Sequence, residues 1–203
     1  DLKHNYLDEL IGQYDEIDWQ TAGQQKAIVS FLDILFKGYL IAVFVMYLMM
    51  AILFSSYSQP LLVLFAIPFG ILGSLIGHML LNLELTLWSF IGMVAVSGIV
   101  VNDNLVLMDC INEQRKKGVI IFSAVCEAGK KRFRPILLTS ITTFAGLTPL
   151  ILEDSIQAKF LIPMAVSLAF GVLFATLISL ILVPASYLLL DQWLNRFLLF
   201  GRV

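Results

Sequence analysis

Apolar residues run along this chain in five long stretches, residues 38–54, 60–81, 85–108, 136–152 and 160–190, separated by short polar segments. A helix needs about 17–25 such residues to cross a bilayer core. None of the stretches alternates polar and apolar positions as a barrel strand does, and only helices and closed barrels satisfy their backbone in lipid. The pattern predicts an all-α polytopic membrane helix bundle with five transmembrane helices. Ahead of the first stretch, "LKHNYLDELIG" places Leu2, Tyr6, Leu7, Leu10 and Ile11 on one helical face, and "EIDWQTAG" reads as a short strand closed by Gly23. Neither piece buries a core alone. Residues 1–23 are therefore expected to be the remnant of an α+β domain, residues 24–190 a membrane domain, and residues 191–203 a tail. With no Met and no signal-peptide pattern at Asp1, the rest of the soluble domain is expected upstream.

Composition supports the membrane reading. Hydrophobic residues are 59% of the chain and charged residues 14%, against roughly 45–50% and about 25% in soluble domains. Charge adds an orientation. Residues 1–37 carry seven acidic and three basic side chains, whereas residues 112–134 carry seven basic and two acidic. The positive-inside rule places the 112–134 loop in the cytoplasm. Five spans then put the N-terminus outside and the tail, with Arg196 and Arg202, inside. Within the loop, "VIIFSAVCEAGKKRFRP" is expected to form an amphipathic helix at the membrane surface, with Ile121, Val125 and Ala128 on one face. Cys110 and Cys126 have no metal or redox spacing and are expected to be small apolar side chains.

Small residues recur four apart in three of the spans: Gly70 with Ser74 and Gly73 with Gly77 in the second, Thr139 with Thr143 and Thr142 with Gly146 in the fourth, and Ser167, Gly171, Ala175 and Ser179 in the fifth. Such stripes let helix backbones approach closely in lipid. Pro68 and Pro184 fall inside or at the ends of spans, as hinges or as static kinks.

The polar exception is "VVNDNLVLMD", residues 100–109, where Asn102, Asp103 and Asn104 are consecutive in an apolar run. Gly98, Asn102 and Asp109 line up on one helical face, with Asp103 about 100° round from Asn102. Asp109 lies at the cytoplasmic boundary, and Asp103 lies deeper. An aspartate at a span centre costs ~2.5–3.5 kcal/mol on insertion scales and less near the ends, so an acid there marks an ion path or proton relay, or else an acid hydrogen-bonded inside the bundle. His78, near the external end of its span, reads as interfacial, and Glu84 as solvated. No Ser–His–Asp set, phosphate-binding glycine loop or paired His/Cys cluster occurs. Asp103 and Asp109 share one helix, and "GIVVND" lacks the G-x-G-D arrangement of intramembrane aspartyl proteases. The residues thus point to no enzyme, no metal, no cofactor and no nucleic-acid partner, and leave an ion path or proton relay at Asp103 as the candidate chemistry.

Three segments in one order, "AILFSSYSQPLLVLFAIPFGILGSLIGHMLL", "GIVVNDNLVLMDCINEQRKKG" and "AGKKRFRPILLTSITTFAGLTPLI", resemble the C-terminal membrane half of resistance–nodulation–division (RND) transporters of the hydrophobe–amphiphile efflux branch. The resemblance covers residues from about Trp19 to Leu190. It implies that the five spans are the eighth to twelfth of twelve, and that the N-terminal piece ends a periplasmic porter domain. It implies proton-driven export across the inner membrane, with the N-terminal half of the same transporter, the bilayer, a homotrimer, a periplasmic adaptor and an outer-membrane channel as partners. In such pumps protons bind an aspartate pair on the fourth span, which this chain does not contain, beside a tenth-span residue that is often lysine and an arginine and threonine of the eleventh. By register these positions are Asn102, Arg132 and Thr139. The chain departs from that pattern in two places: Asn102 stands where lysine is common, and Asp103 where asparagine is common. Losing a cation and gaining an acid raises the proton affinity of the neighbouring carboxylates. Asp103 then shares a proton with the absent pair, takes over part of the relay, or only orders water in a vestibule. The remaining alternatives are an RND-like exporter of another cargo, such as lipid or a protein-export accessory, and a membrane scaffold or sensor that does not transport.

Overall fold

The computed structural model describes the backbone of residues 24–200 and the side chains of residues 26–192. The expected soluble remnant, residues 1–23, lies outside the described residues. Six α-helices follow in order: α1 Gln24–Phe54, α2 Ser58–Leu64, α3 Ile67–Leu80, α4 Leu87–Lys116, α5 Ile121–Ile151 and α6 Ile162–Phe200, with a 3-10 turn at Ala158–Phe160. Five membrane-length apolar spans result, Lys26–Phe54, Ser58–Leu80, Leu87–Lys116, Ile121–Ile151 and Ile162–Gln192. This is a multi-pass membrane bundle, all-helical among the described residues.

The chain divides into two units, Asp1–Gly38 and Tyr39–Val203, with the boundary inside α1. In the first, Val29, Ile34 and Phe36 of α1 are exposed. Lys37 and Asp33 form an exposed pair one turn apart at 2.6 Å, a contact worth only about 0.3–0.5 kcal/mol. The second unit is built on α6, which packs against α3, α4 and α5.

Small side chains make that packing close. A Cβ on Gly73 would lie 2.5 Å from Phe174 Cβ and 2.8 Å from the Phe170 carbonyl oxygen. A Cβ on Gly171 would lie 2.5 Å from Ser74 Oγ and 2.9 Å from the Gly70 carbonyl. Gly70 meets Val96 and Ala175, Gly77 meets Phe170, and Gly92 of α4 meets Ser167 and Met164. The residues of the α3 and α6 stripes therefore face one another, and α4 closes the third side.

The same three helices share a buried polar seam. Ser74 donates to the Ser167 carbonyl at 2.8 Å, and Ser167 donates to the Ser89 carbonyl at 3.0 Å. His78 is 2% exposed, its Nδ1 2.9 Å from the Ser74 carbonyl and its Nε2 2.8 Å from Ser89 Oγ. A carbonyl only accepts, so Nδ1 carries the hydrogen; in the neutral ring Nε2 then accepts from the Ser89 hydroxyl. This corrects the interfacial reading of His78. The ring lies inside the bundle because Gly77 and Ser74 leave room for α6 and because both ring nitrogens find partners there. A second seam joins α5 to α6, where Ser140 and Thr176 hydroxyls meet at 2.6 Å.

The first helix begins at Gln24, ahead of its apolar run, and the last continues to Phe200, past the end of its run; the other helices differ from the apolar runs at three places. The second span is broken at Phe65–Ala66, between α2 and α3, with Pro68 in the first turn of α3. Proline disfavours helical geometry in the residue before it and has no N–H to donate. The break is bridged by the Ala66 amide to the Val63 carbonyl and the Phe69 amide to the Ala66 carbonyl, both 3.2 Å. The third span continues as helix to Lys116. The expected surface helix of the 112–134 loop and the fourth span are one helix, α5, running through Pro135. Its buried face is continuous across the proline, through Ala124, Val125, Ala128, Ile136 and Ser140, and that packing outweighs one lost backbone bond. The connection between α4 and α5 shrinks to a turn at Gly118, whose φ of 82° favours glycine.

Gly171→Val in the full-length protein is expected to abolish recovery of a monodisperse species on detergent size-exclusion chromatography. Gly129→Ala, where a Cβ meets nothing within 4 Å, is expected to leave the elution profile and melting temperature unchanged or improved.

Candidate functional site

Helix α4 sorts its polar cluster onto different faces. Val100, Val101, Asn104, Leu107, Met108 and Ile111 point into the core. Gly98, Asn102 and Asp109 are exposed on the opposite side, and Asp103 stands between the two, half-buried. On α5 the core face ends in Ile136 and Ser140, while Leu138, Thr139, Ile141 and Thr142 face outward. Helices α4 and α5 pack against each other, so the two outward faces belong to neighbouring helices.

Arg132 sits one turn before Ile136 at the edge of the buried face, half-buried. Because α5 is continuous, Arg132 and Thr139, seven residues apart, lie near one side of a single helix. The Thr139 hydroxyl donates back to the Ile136 carbonyl at 2.8 Å, and Thr142 to the carbonyls of Leu138 and Thr139 at 2.9 Å. Their oxygen lone pairs remain open toward the outside. No hydrogen bond or ion pair joins Asn102, Asp103, Arg132 and Thr139 among the described residues, and Arg132 Nε is buried with no partner. Asp109 is separate, at the end of α4. No three His, Cys, Asp or Glu side chains among the described residues converge as metal ligands.

Asn104 escaped sequence reading because it was grouped with its neighbours. It is 1% exposed, and its Nδ2 has no acceptor among the described residues. The only signal was its spacing from Val100, Val101 and Ile111, which places it on the core stripe.

The five apolar spans thus carry one half-buried acid, at the border between the core and the outward face of α4. Residues 14–191 match the model of the AcrB/AcrD/AcrF family. The chain belongs to that family of RND transporters. It is 32% identical over 183 residues to the swarming motility protein SwrC of Bacillus subtilis, covering 90% of this chain and 17% of that protein. It is 29% identical over 154 residues to the multidrug resistance protein MdtC of Erwinia amylovora, covering 75% of this chain and 15% of that protein. Two crystal forms of a heavy metal efflux pump superpose with TM-scores of 0.71 and 0.73 at 24% and 25% identity, over 93% of this chain and 19% and 20% of theirs. The chain thus spans about a sixth of the length of these curated relatives.

Replacing Asn104 by Leu tests whether its amide has a partner from outside this segment. With none, Asn104→Leu keeps or raises thermal stability of the full-length transporter, since an unpaired buried amide costs about 1–3 kcal/mol. A lower melting temperature would place an acceptor from another segment against Asn104.

Proposed function

We propose that this chain is the second half of the membrane domain of a proton-driven inner-membrane pump that exports hydrophobic or amphiphilic compounds. The observation that carries the reading is the placement of Asp103 and Asn102. A half-buried acid and an outward amide lie together on α4, and outward threonines and the half-buried Arg132 lie on α5, the helix packed against it. Polar groups at that depth need partners, and the matching face of an N-terminal half supplies them in this reading. The seven-to-two basic excess of residues 112–134 puts that end of the bundle in the cytoplasm. MdtC, a relative named for multidrug resistance, supports the choice of cargo. A homotrimer with a periplasmic adaptor and an outer-membrane channel follows in this reading from family membership.

In the proposed cycle Asp103 lies in the path of the proton. A shift of α5 relative to α4 brings the Arg132 guanidinium toward Asp103 and moves the proton on. Asn102 orients water or the partner carboxylate by hydrogen bonds and carries no fixed charge. Thr139, whose hydroxyl hydrogen is held by the Ile136 carbonyl, acts as an acceptor.

The full-length transporter expressed in pump-deleted cells is expected to expel an amphiphilic dye, and a protonophore is expected to stop it. A scaffold or sensor would show no efflux in either condition, which would overturn the proposal. Asn102→Lys gives a second check. A cation beside carboxylates favours their charged form, so the pH at which efflux declines is expected to move downward by about one unit, ~1.4 kcal/mol of interaction. An unchanged profile would remove Asn102 from the carboxylate site.

A further inference from the structure

The basic end of the bundle holds a polar cavity of about 310 Å³ lined by Leu53, Phe54, Gln59, Asp109, Asn112, Arg115, Lys116 and Tyr187. Most of its polar groups are committed to one another. Gln59 and Asn112 exchange amide hydrogen bonds at 2.7 and 3.3 Å. The Tyr187 hydroxyl donates to Asn112 Oδ1 at 3.1 Å and accepts from Arg115 at 3.2 Å. Arg115 also pairs with Asp191 at 3.1 Å and lies 5.9 Å over the Tyr187 ring. Tyr187 is 3% exposed, so this floor is fixed. Two charged lining groups are left without a hydrogen bond or ion pair among the described residues, the carboxylate of Asp109 and the ammonium of Lys116, both exposed. They are seven residues apart on α4, with Asn112 between them on the same side. Their Cα atoms are therefore about 10 Å apart along the helix. Both side chains lean toward the helix N-terminus, and the long lysine stem brings its ammonium back toward the level of Asp109.

We propose that this cavity is a headgroup site for a zwitterionic aminophospholipid, with the phosphate on Lys116 and the primary ammonium on Asp109. A purely anionic headgroup would meet the Asp109 carboxylate, and a lone cation would meet Lys116 and Arg115. Only a ligand carrying both charges satisfies both free groups. A primary ammonium donates hydrogen bonds to a carboxylate and a quaternary one does not, which selects ethanolamine over choline. The volume lies at the small end of ligand pockets and suits a headgroup better than a whole drug. The cavity sits at the end of membrane-spanning helices, and one wall is Leu53 and Phe54, of which Leu53 is 57% exposed. That apolar exit for acyl chains favours a lipid over soluble phosphoethanolamine, which presents the same charges. The inference needs the bundle to lie in a membrane and needs neither the proposed cargo nor the proton coupling.

Native mass spectrometry of the full-length transporter, equilibrated with equimolar phosphatidylethanolamine, phosphatidylglycerol and phosphatidylcholine, reads the site directly. The wild type is expected to retain phosphatidylethanolamine at least about fivefold over the other two, roughly one charge-assisted contact. Lys116→Ala is expected to remove that excess, and Asp109→Asn to turn the preference toward phosphatidylglycerol. Both side chains are exposed, and matched melting temperatures will show that both variants fold. Equal retention of the three lipids by the wild type, or an unchanged preference in both variants, would overturn the proposal. So would displacement of the lipid by millimolar phosphoethanolamine, which would make the ligand a soluble one. Lipid retained is the readout, so the result holds whether or not the transporter moves dye.

Discussion

Helices in lipid are not driven together by the hydrophobic effect, because the solvent is as apolar as their side chains. The second unit of this chain holds together where backbones come close enough for dispersion and buried hydrogen bonds to act. Gly73 and Gly171 have no room for a methyl group against the opposing helix. That approach brings Ser74 to the Ser167 carbonyl and encloses His78 between Ser74 and Ser89. It makes α6 the axis on which α3, α4 and α5 are set, and so fixes the rotation of α4 about its own axis.

The rotation of α4 decides which of its polar residues face the core and which face outward. With Val96, Val100 and Ile111 turned into the core, Asn104 must go in with them, Asn102 and Asp109 must come out, and Asp103 is left at the border. The inward hydroxyls and His78 are satisfied within the bundle, by their own and neighbouring helices. Asn102, Asp103 and Arg132 have no such partner among the described residues, and on this contrast rests the proposal that their polarity serves a partner segment or a proton.

Much of this was legible in the sequence. Five apolar runs gave the span count, and the fourfold spacing of Gly70, Gly73, Gly77, Ser167 and Gly171 marked the helix faces that meet. Prolines were harder to read. Pro135 falls at the start of an apolar run and looks like a helix boundary, yet α5 passes through it because Ala128 and Ile136 bury one continuous face. Pro68 sits in a run with no polar break, yet α3 begins there. His78 looked solitary because its partner Ser89 belongs to the next helix, and only folding shows that they meet. The lining of the basic-end cavity was beyond local pattern for the same reason. Gln59 and Asn112 are 53 residues apart, and Arg115 and Tyr187 are 72.

The central claim is that Asp103, set at the border of the core by the rotation of α4, carries part of the proton path. Substrate-dependent proton flux in proteoliposomes of the full-length transporter, compared between wild type and Asp103→Asn at equal incorporation, tests this most directly. The account predicts that the variant binds substrate with unchanged affinity and loses at least about tenfold of its coupled proton flux, ~1.4 kcal/mol or more on the barrier. Full proton flux in Asp103→Asn would contradict it and leave Asp103 a tolerated acid at the edge of the bundle.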